Sequence, residues 1–151
     1  PITAQFCQRL EAAFAQVGLD YQEFCIILPR QSKRDYWNLL LLADIGLDTL
    51  EFTGFLTTLE AVAVNLPIVT HLGSFMRGRQ SAGILTRVGV TETIAQTVQD
   101  YIKIAVNLGL NREWREAIAT QMNEGHQWLY EDNTGVKALE NFYRAIVQKK
   151  G

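Results

Sequence analysis

ADIGLDTLEFTGFLTTLEAVAVNLPIVT, residues 43–70, reads as strand, loop, helix, strand. Asp44–Asp48 and Ile68–Leu72 are the strands. The helix between them runs through Ala61, Val62, Ala63 and Val64, apolar on its sides and so expected to be buried. Asn65 ends it, and Pro67 follows as it does after a helix stop. Thr57 and Glu60 have the spacing of a T-x-x-E capping box at its start. The loop before it carries Thr53-Gly54 and then Thr57-Thr58. In a parallel α/β sheet such a loop lies at the carboxyl end of a strand, where ligands bind. The helix opens its free N–H groups toward the same crevice, which attracts anions.

Outward from this stretch the alternation continues. Phe6, Leu10, Ala13, Phe14 and Val17 recur at helical spacing, and Gly18 is placed to end that helix. Phe24–Leu28 is a short apolar run between Glu23 and Pro29, and predicts a buried strand. Ser32 precedes Asp35 by three residues, a capping-box-like start for a helix to about Leu42. After Gly73 a turn leads into a helix from about Arg77 to Val88, ended by Gly89. Thr91–Ile94 is either a short fourth strand or a turn. Thr97 and Asp100 have cap spacing for a helix through Leu108, closed by Gly109. From Asn111 the pattern is helical: Arg112 to about Tyr130 with a possible break at Gly125, a turn at Asp132–Gly135, and Val136–Gln148. Leu139, Phe142, Tyr143 and Ile146 share one face of that last helix, and Lys149–Gly151 is expected to fray. Strands alternating with helices argue for an α/β fold with a parallel sheet and C-terminal helices.

Composition bounds the function classes. The 151 residues suit one domain, with 48% hydrophobic and 20% charged residues. A net charge of −2 gives no footprint for nucleic acid or an anionic membrane. The longest apolar run, Leu39–Ala43, is far too short to cross a bilayer. Pro1-Ile2-Thr3 runs directly into the first amphipathic pattern without a secretory signal, so a cytoplasmic protein is expected. Cys7 and Cys25 sit among apolar residues and read as reduced, buried thiols. No CxxC motif or metal-ligand cluster is present in the sequence. His71 and His126 have no partner in view and read as hydrogen-bonded or exposed side chains rather than ligands, and Trp37, Trp114 and Trp128 read as core residues.

The combination of LAD-x-x-LDT (42–49), TTLEA (57–61), LP-x-VT (66–70) and FMRGR (75–79) resembles the O-GlcNAc transferase/SPINDLY-like glycosyltransferases. Bacterial members that follow tetratricopeptide repeats are the most similar in kind. The resemblance extends from ILPRQSKRDYWNLL (27–40) through DYIKIAVNLG (100–109). It implies a GT-B architecture, two Rossmann-like halves facing each other across a cleft. The C-terminal half binds the nucleotide-sugar donor. The chain then reads as a single, N-terminally truncated Rossmann-like domain over 1–151, part of that half. The implied donor is a UDP-sugar, UDP-GlcNAc in particular, and the implied acceptor a protein hydroxyl. No further cofactor and no metal are implied.

The resemblance also implies roles. Thr57 and Thr58 match threonines that cradle the donor diphosphate, and Glu60 matches an acidic residue that takes the ribose hydroxyls. Gln31, Lys33 and Tyr36 fall where the family contacts uracil. Tyr36 stands where human-like members have a stacking histidine, and a tyrosine stacks equally well. Arg79 matches a family arginine suited to phosphate, and Arg77 sits beside it. The sequence departs from the family at Gly54-Phe55-Leu56, where a Gly-His or Gly-Gly-Asn type of pattern is common. Side-chain polar contacts are lost there, while backbone N–H contacts remain open. The family's phosphate-contacting lysine and proposed catalytic histidine would lie upstream of Pro1, so no residue here is named catalytic. A non-catalytic binding module on the same fold stands as the alternative, with Phe55 and Leu56 used for protein contact.

In the doubly wound order, two upstream strands would sit between Phe24–Leu28 and Asp44–Asp48. Without them the strand edges must pair directly, borrow from another copy, or stay bare. The chain is therefore expected to self-associate. Light scattering should give a mass above that of one chain; a clean monomer with a native-order sheet contradicts this.

Overall fold

The computed structural model describes residues 2–148, so the expectation for Lys149–Gly151 lies outside the described residues. The chain divides into two compact units, Pro1–Asp35 and Tyr36–Gly151. In the first, helix α1 (Ile2–Ala15) ends as its sequence requires. Gly18 takes φ +75°, its amide donates to Ala15 O at 3.1 Å, and the Leu19 amide donates to Phe14 O at 3.1 Å. This is a Schellman motif, open to glycine because glycine has no Cβ to clash.

The strand expected at Phe24–Leu28 is not formed. The amides of Phe24 and Cys25 both donate to Tyr21 O, prolonging a 3₁₀ turn over Tyr21–Glu23. The rest has no regular structure and no strand partner, with Ile26 85% exposed. An apolar run becomes a strand only where a neighbour takes its backbone groups, and none does so here. Cys7 and Cys25 are half-buried free thiols. Helix α2 (Lys33–Leu42) starts as read: Ser32 Oγ accepts from the Asp35 amide at 3.2 Å and donates to Asp35 Oδ2 at 2.6 Å.

The larger unit bears out the α/β expectation. Three strands, β1 (Gly46–Leu47), β2 (Ile68–His71) and β3 (Ile94–Ala95), pair in parallel in the order β1-β2-β3. Gly46 is in register with Ile68 and Thr70 with Ile94. Only two residues of the run Asp44–Asp48 join the ladder. At Thr91–Ile94 a turn comes first, closed by the Ile94 amide on Thr91 O, and the strand follows. Helix α3 (Leu56–Ala63) connects β1 to β2, and α4 (Gln80–Arg87) connects β2 to β3 after a 3₁₀ turn over Met76–Gly78. Both end in Schellman motifs, at Asn65 (φ +59°) and Gly89 (φ +86°).

Helix α5 (Val98–Leu110) is capped by Thr97, whose hydroxyl accepts from the Asp100 amide at 3.1 Å. It runs past Gly109, which does not close it. Asn111 ends α5 and caps α6 (Arg112–Tyr130) by accepting from the Trp114 amide. α5 packs on β2 and β3, and α6 packs against α3, α4 and α5. Val62, Val69, Leu85, Val90, Leu108 and Met122 form the fully buried centre.

Gly125 does not break α6. It lies where α6 touches α4's end, and a Cβ there would meet Val88 Cα at 2.6 Å and clash with its carbonyl. The face Ile118, Met122, Gly125, Leu129 points inward. Trp128 is one step off that face and 58% exposed, so it is not a core residue as expected; Trp114 is packed on the core. Helix α7 (Thr134–Gln148) has no buried residue, and its apolar side chains Leu139, Phe142, Tyr143 and Ile146 are exposed. Among the described residues no helix is long and apolar enough to cross a membrane.

Two glycines give opposite expectations. A Cβ on Gly83, in the middle of α4, meets nothing within 4 Å. Gly83→Ala should raise stability by about 0.5–1 kcal/mol through helix propensity. Gly125→Ala should lower it by about 1–3 kcal/mol through overpacking against Val88. Urea midpoints of the two variants read both signs directly.

Candidate functional site

The loop after β1 is organised by Asp48. Its Oδ1 accepts the amides of Thr49 at 3.0 Å and Gly54 at 2.9 Å, and its Oδ2 accepts the hydroxyl of the buried Thr70 on β2 at 2.7 Å. Tyr101 of α5 donates to the Asp48 carbonyl at 2.8 Å. The loop is thereby folded back on itself and tied to the neighbouring strand and helix.

Thr53, almost fully buried, joins this loop to the one after β2. Its amide and hydroxyl both donate to Arg77 O, at 2.9 and 3.1 Å. Its Oγ1 accepts from the Gln80 amide at 3.2 Å. Arg79, the residue before α4, offers no side-chain cap. Thr53 therefore caps α4 from another loop. Gly73 and Gly78 close the second loop by an amide-to-carbonyl bond of 2.9 Å, and a Cβ on Gly73 would sit 2.7 Å from Gly78 O. Only glycine fits that approach.

The capping box read at Thr57 and Glu60 is not formed. The helix begins two residues earlier than the pattern suggests, with Phe55 at the cap position and no side-chain cap bond. Thr57 and Glu60 then lie inside α3, where their side chains cannot close the box. Among the described residues, the amides of Phe55, Leu56, Thr57 and Thr58 donate to no protein acceptor. Four consecutive free donors at a helix start carry the positive end of the helix dipole. A Cβ on Gly54 would clash with the Thr57 hydroxyl and meet the Thr58 hydroxyl at 2.8 Å, so the loop passes close to both.

Tyr36, Thr57 and Thr58 line one small cleft of ≈ 140 Å³ beside β1, together with Leu47 and Asp48. Glu60 acts on the same tyrosine: burial first, and the Glu60 carboxylate second, push the Tyr36 hydroxyl above its ordinary value. Arg79 is exposed and lines a separate groove of ≈ 430 Å³ with Leu72, Thr86, Thr91 and Gln96. The Arg77 guanidinium lies over the Phe75 ring at 4.9 Å. Gln31 and Lys33 belong to the N-terminal unit, where Gln31 Nε2 donates to Pro29 O at 2.7 Å and Lys33 is exposed.

Sequence reading passed over three residues that build this loop. Asp48 had a visible signal, an acid at the end of a strand run. Thr53 was noted only as loop, and Ser81 sits inside α4 with no signal of its own. Ser81 Oγ donates to Gly54 O at 2.8 Å and lies 2.7 Å from Thr58 Oγ1. His126 donates Nε2–H to Val62 O at 2.8 Å and is satisfied as expected. His71 differs from the expectation, since its buried Nδ1 has no partner. Among the described residues no cluster of three or more His, Cys, Asp or Glu could hold a metal ion.

Known proteins resemble this chain in both sequence and structure. The family described as Glycosyl transferase family 41 matches residues 4–130. A barley (Hordeum vulgare) protein named probable UDP-N-acetylglucosamine--peptide N-acetylglucosaminyltransferase SPINDLY is 26% identical over 143 residues, covering 92% of this chain and 15% of its own length. The protein of the same name from Arabidopsis thaliana is 29% identical over 101 residues, covering 67% of this chain and 11% of its own. A solved mutant of the Thermobaculum terrenum O-GlcNAc transferase superposes with a TM-score of 0.75 at 28% identity. That match covers 92% of this chain and 27% of the other. The chain thus spans a small part of each of these relatives, and α7 lies beyond the family match.

The raised Tyr36 hydroxyl has a pH consequence. A folded-state value above the ordinary 10 means the folded chain holds that proton more tightly than the unfolded one. Its contribution to stability is full below about pH 10 and is lost as pH rises through the raised value. Tyrosinate absorbance, with Tyr36→Phe as the difference, should place this midpoint above that of free tyrosine. Glu60→Gln should bring it only part of the way back, because burial is the larger cause.

Proposed function

Because the chain belongs to glycosyl transferase family 41, we propose that it is the donor-binding part of a UDP-sugar-dependent glycosyltransferase. The donor would be UDP-GlcNAc and the acceptors protein hydroxyls. The observation that carries the proposal is the uncapped start of α3, with its free amides at the carboxyl end of β1. A diphosphate satisfies those amides without a counter-ion in the protein. As the sugar leaves, negative charge grows on the nucleotide, and donors already fixed in place stabilise it at no cost of reorganisation.

The surrounding residues support the rest of the nucleotide. Thr57 has an exposed hydroxyl with no protein partner, next to the free amides. Tyr36 offers a partly buried ring for the base, and Glu60 a carboxylate that accepts from two ribose hydroxyls. The uracil contacts of Gln31 and Lys33 are proposed from the family resemblance alone. Arg79 faces its own groove and enters only as charge near the loop. No side chain of this chain is assigned to proton transfer. A cytoplasmic location belongs to the same proposal, as does association between copies through the unpaired edge of β1.

The alternative is a binding module without transfer activity. It draws on Phe55 and Leu56, which are 59% and 64% exposed at the mouth of the loop. Phe55 also lines an apolar groove with Met76, Ile84 and Leu129.

Titration of UDP into the full-length protein separates the two. The donor-binding reading expects micromolar affinity, about −8 kcal/mol. Thr57→Ala and Glu60→Ala should each weaken it about tenfold, near 1.4 kcal/mol. No binding by the full-length protein sinks the reading and leaves the module.

A further inference from the structure

Ser81 is wholly buried in the first turn of α4, and its hydroxyl has two partners. One is the Gly54 carbonyl at 2.8 Å and the other Thr58 Oγ1 at 2.7 Å. A carbonyl only accepts, so the Ser81 proton goes to Gly54. The proton between the two hydroxyls is then Thr58's, donated to Ser81. Thr58 has one hydroxyl proton, and it is turned inward; the residue is 3% exposed. It has none left for an anion in the crevice.

The same bond fixes the peptide that follows Gly54. A trans peptide points its C=O and N–H in opposite directions. With the Gly54 carbonyl held toward Ser81, the Phe55 N–H points away from it, and that amide has no protein acceptor. An inward carbonyl also removes the one backbone group that would repel a phosphate. Four successive free N–H groups then form an anion-binding concavity.

We infer that Ser81 is a positioning residue for the donor loop. By holding the Gly54 carbonyl and taking the Thr58 proton, it leaves the Thr57 hydroxyl and the Phe55–Thr58 amides as the groups that meet the diphosphate. The Thr58 hydroxyl is turned inward to Ser81, so Thr58 meets the diphosphate through its backbone amide alone. This rests on the donor-binding reading and refines which groups carry it.

The test measures UDP and uridine affinity of the full-length protein and its variants by calorimetry and NMR titration. Ser81→Ala should weaken UDP tenfold or more while leaving uridine unchanged, since only the phosphate loop is released. A general loss of structure would lower both together. Thr58→Val should keep UDP affinity within about threefold, the small residue of a tenfold-per-1.4-kcal/mol scale, whereas Thr57→Val should lose it. UDP binding unchanged in Ser81→Ala, or parallel loss of UDP and uridine, overturns the inference alone. So does a Thr58→Val loss as large as that of Thr57→Val, which decides the matter even if Ser81→Ala does not fold. Failure of the unsubstituted protein to bind UDP overturns the donor-binding reading, and this inference with it.

Discussion

One carboxylate holds the carboxyl end of the sheet together. Asp48 spends its two oxygens on two loop amides and one buried threonine hydroxyl. Bonds to an ionised acceptor are worth about 1.5–3 kcal/mol each, well above neutral ones. The loop gains little from burial, since Phe52 is exposed and Glu51 lies on the surface. Polar bonding rather than apolar packing therefore sets its course. That choice leaves the backbone at the start of α3 rigid and yet unpaired, the condition an anion site needs.

Around it, three backbone carbonyls are taken up by side chains, while four successive amides are not taken up. The carbonyls of Asp48, Gly54 and Arg77 each accept from a buried or half-buried side chain. The amides from Phe55 to Thr58 are left over. A helix start with a Ser or Asp at its cap would be more stable on its own by about 1 kcal/mol. Phe55 forgoes that bond. The amides of Leu50, Glu51 and Phe52 also have no protein acceptor among the described residues, but those of Phe55–Thr58 lie at a helix start, where the dipole favours a negatively charged ligand.

Much of this was legible along the chain. Gly18, Asn65 and Gly89 announce left-handed helix ends, and Ser32 and Thr97 announce starts, because a cap is decided within a few residues. What failed depended on partners far away in sequence. Phe24–Leu28 has the composition of a strand and no neighbour to pair with. Gly109 and Gly125 look like stops, yet Asn111 ends one helix and the other needs a glycine to approach Val88. At Thr57 the T-x-x-E spacing was real, but Asp48 and Ser81 fix the loop so that α3 starts earlier. Ser81 itself is invisible in one dimension, a small polar residue in a helix whose partners lie more than twenty positions upstream. The candidate site was thus readable as a stretch, while the bonding that orients it was not.

Thr53 has a consequence for how the molecule breathes. A helix normally frays from its first turn, which is the cheapest local opening available to it. Here the first turn of α4 is held by a hydroxyl that belongs to the loop after β1. That loop is in turn anchored through Asp48 to β2. Fraying α4 and lifting the loop are then a single event rather than two, and its free energy includes both. Amides in these separated segments belong to one opening unit, and their exchange with solvent should rise and fall together. A surface loop that would otherwise fluctuate takes on the lifetime of the helix it caps.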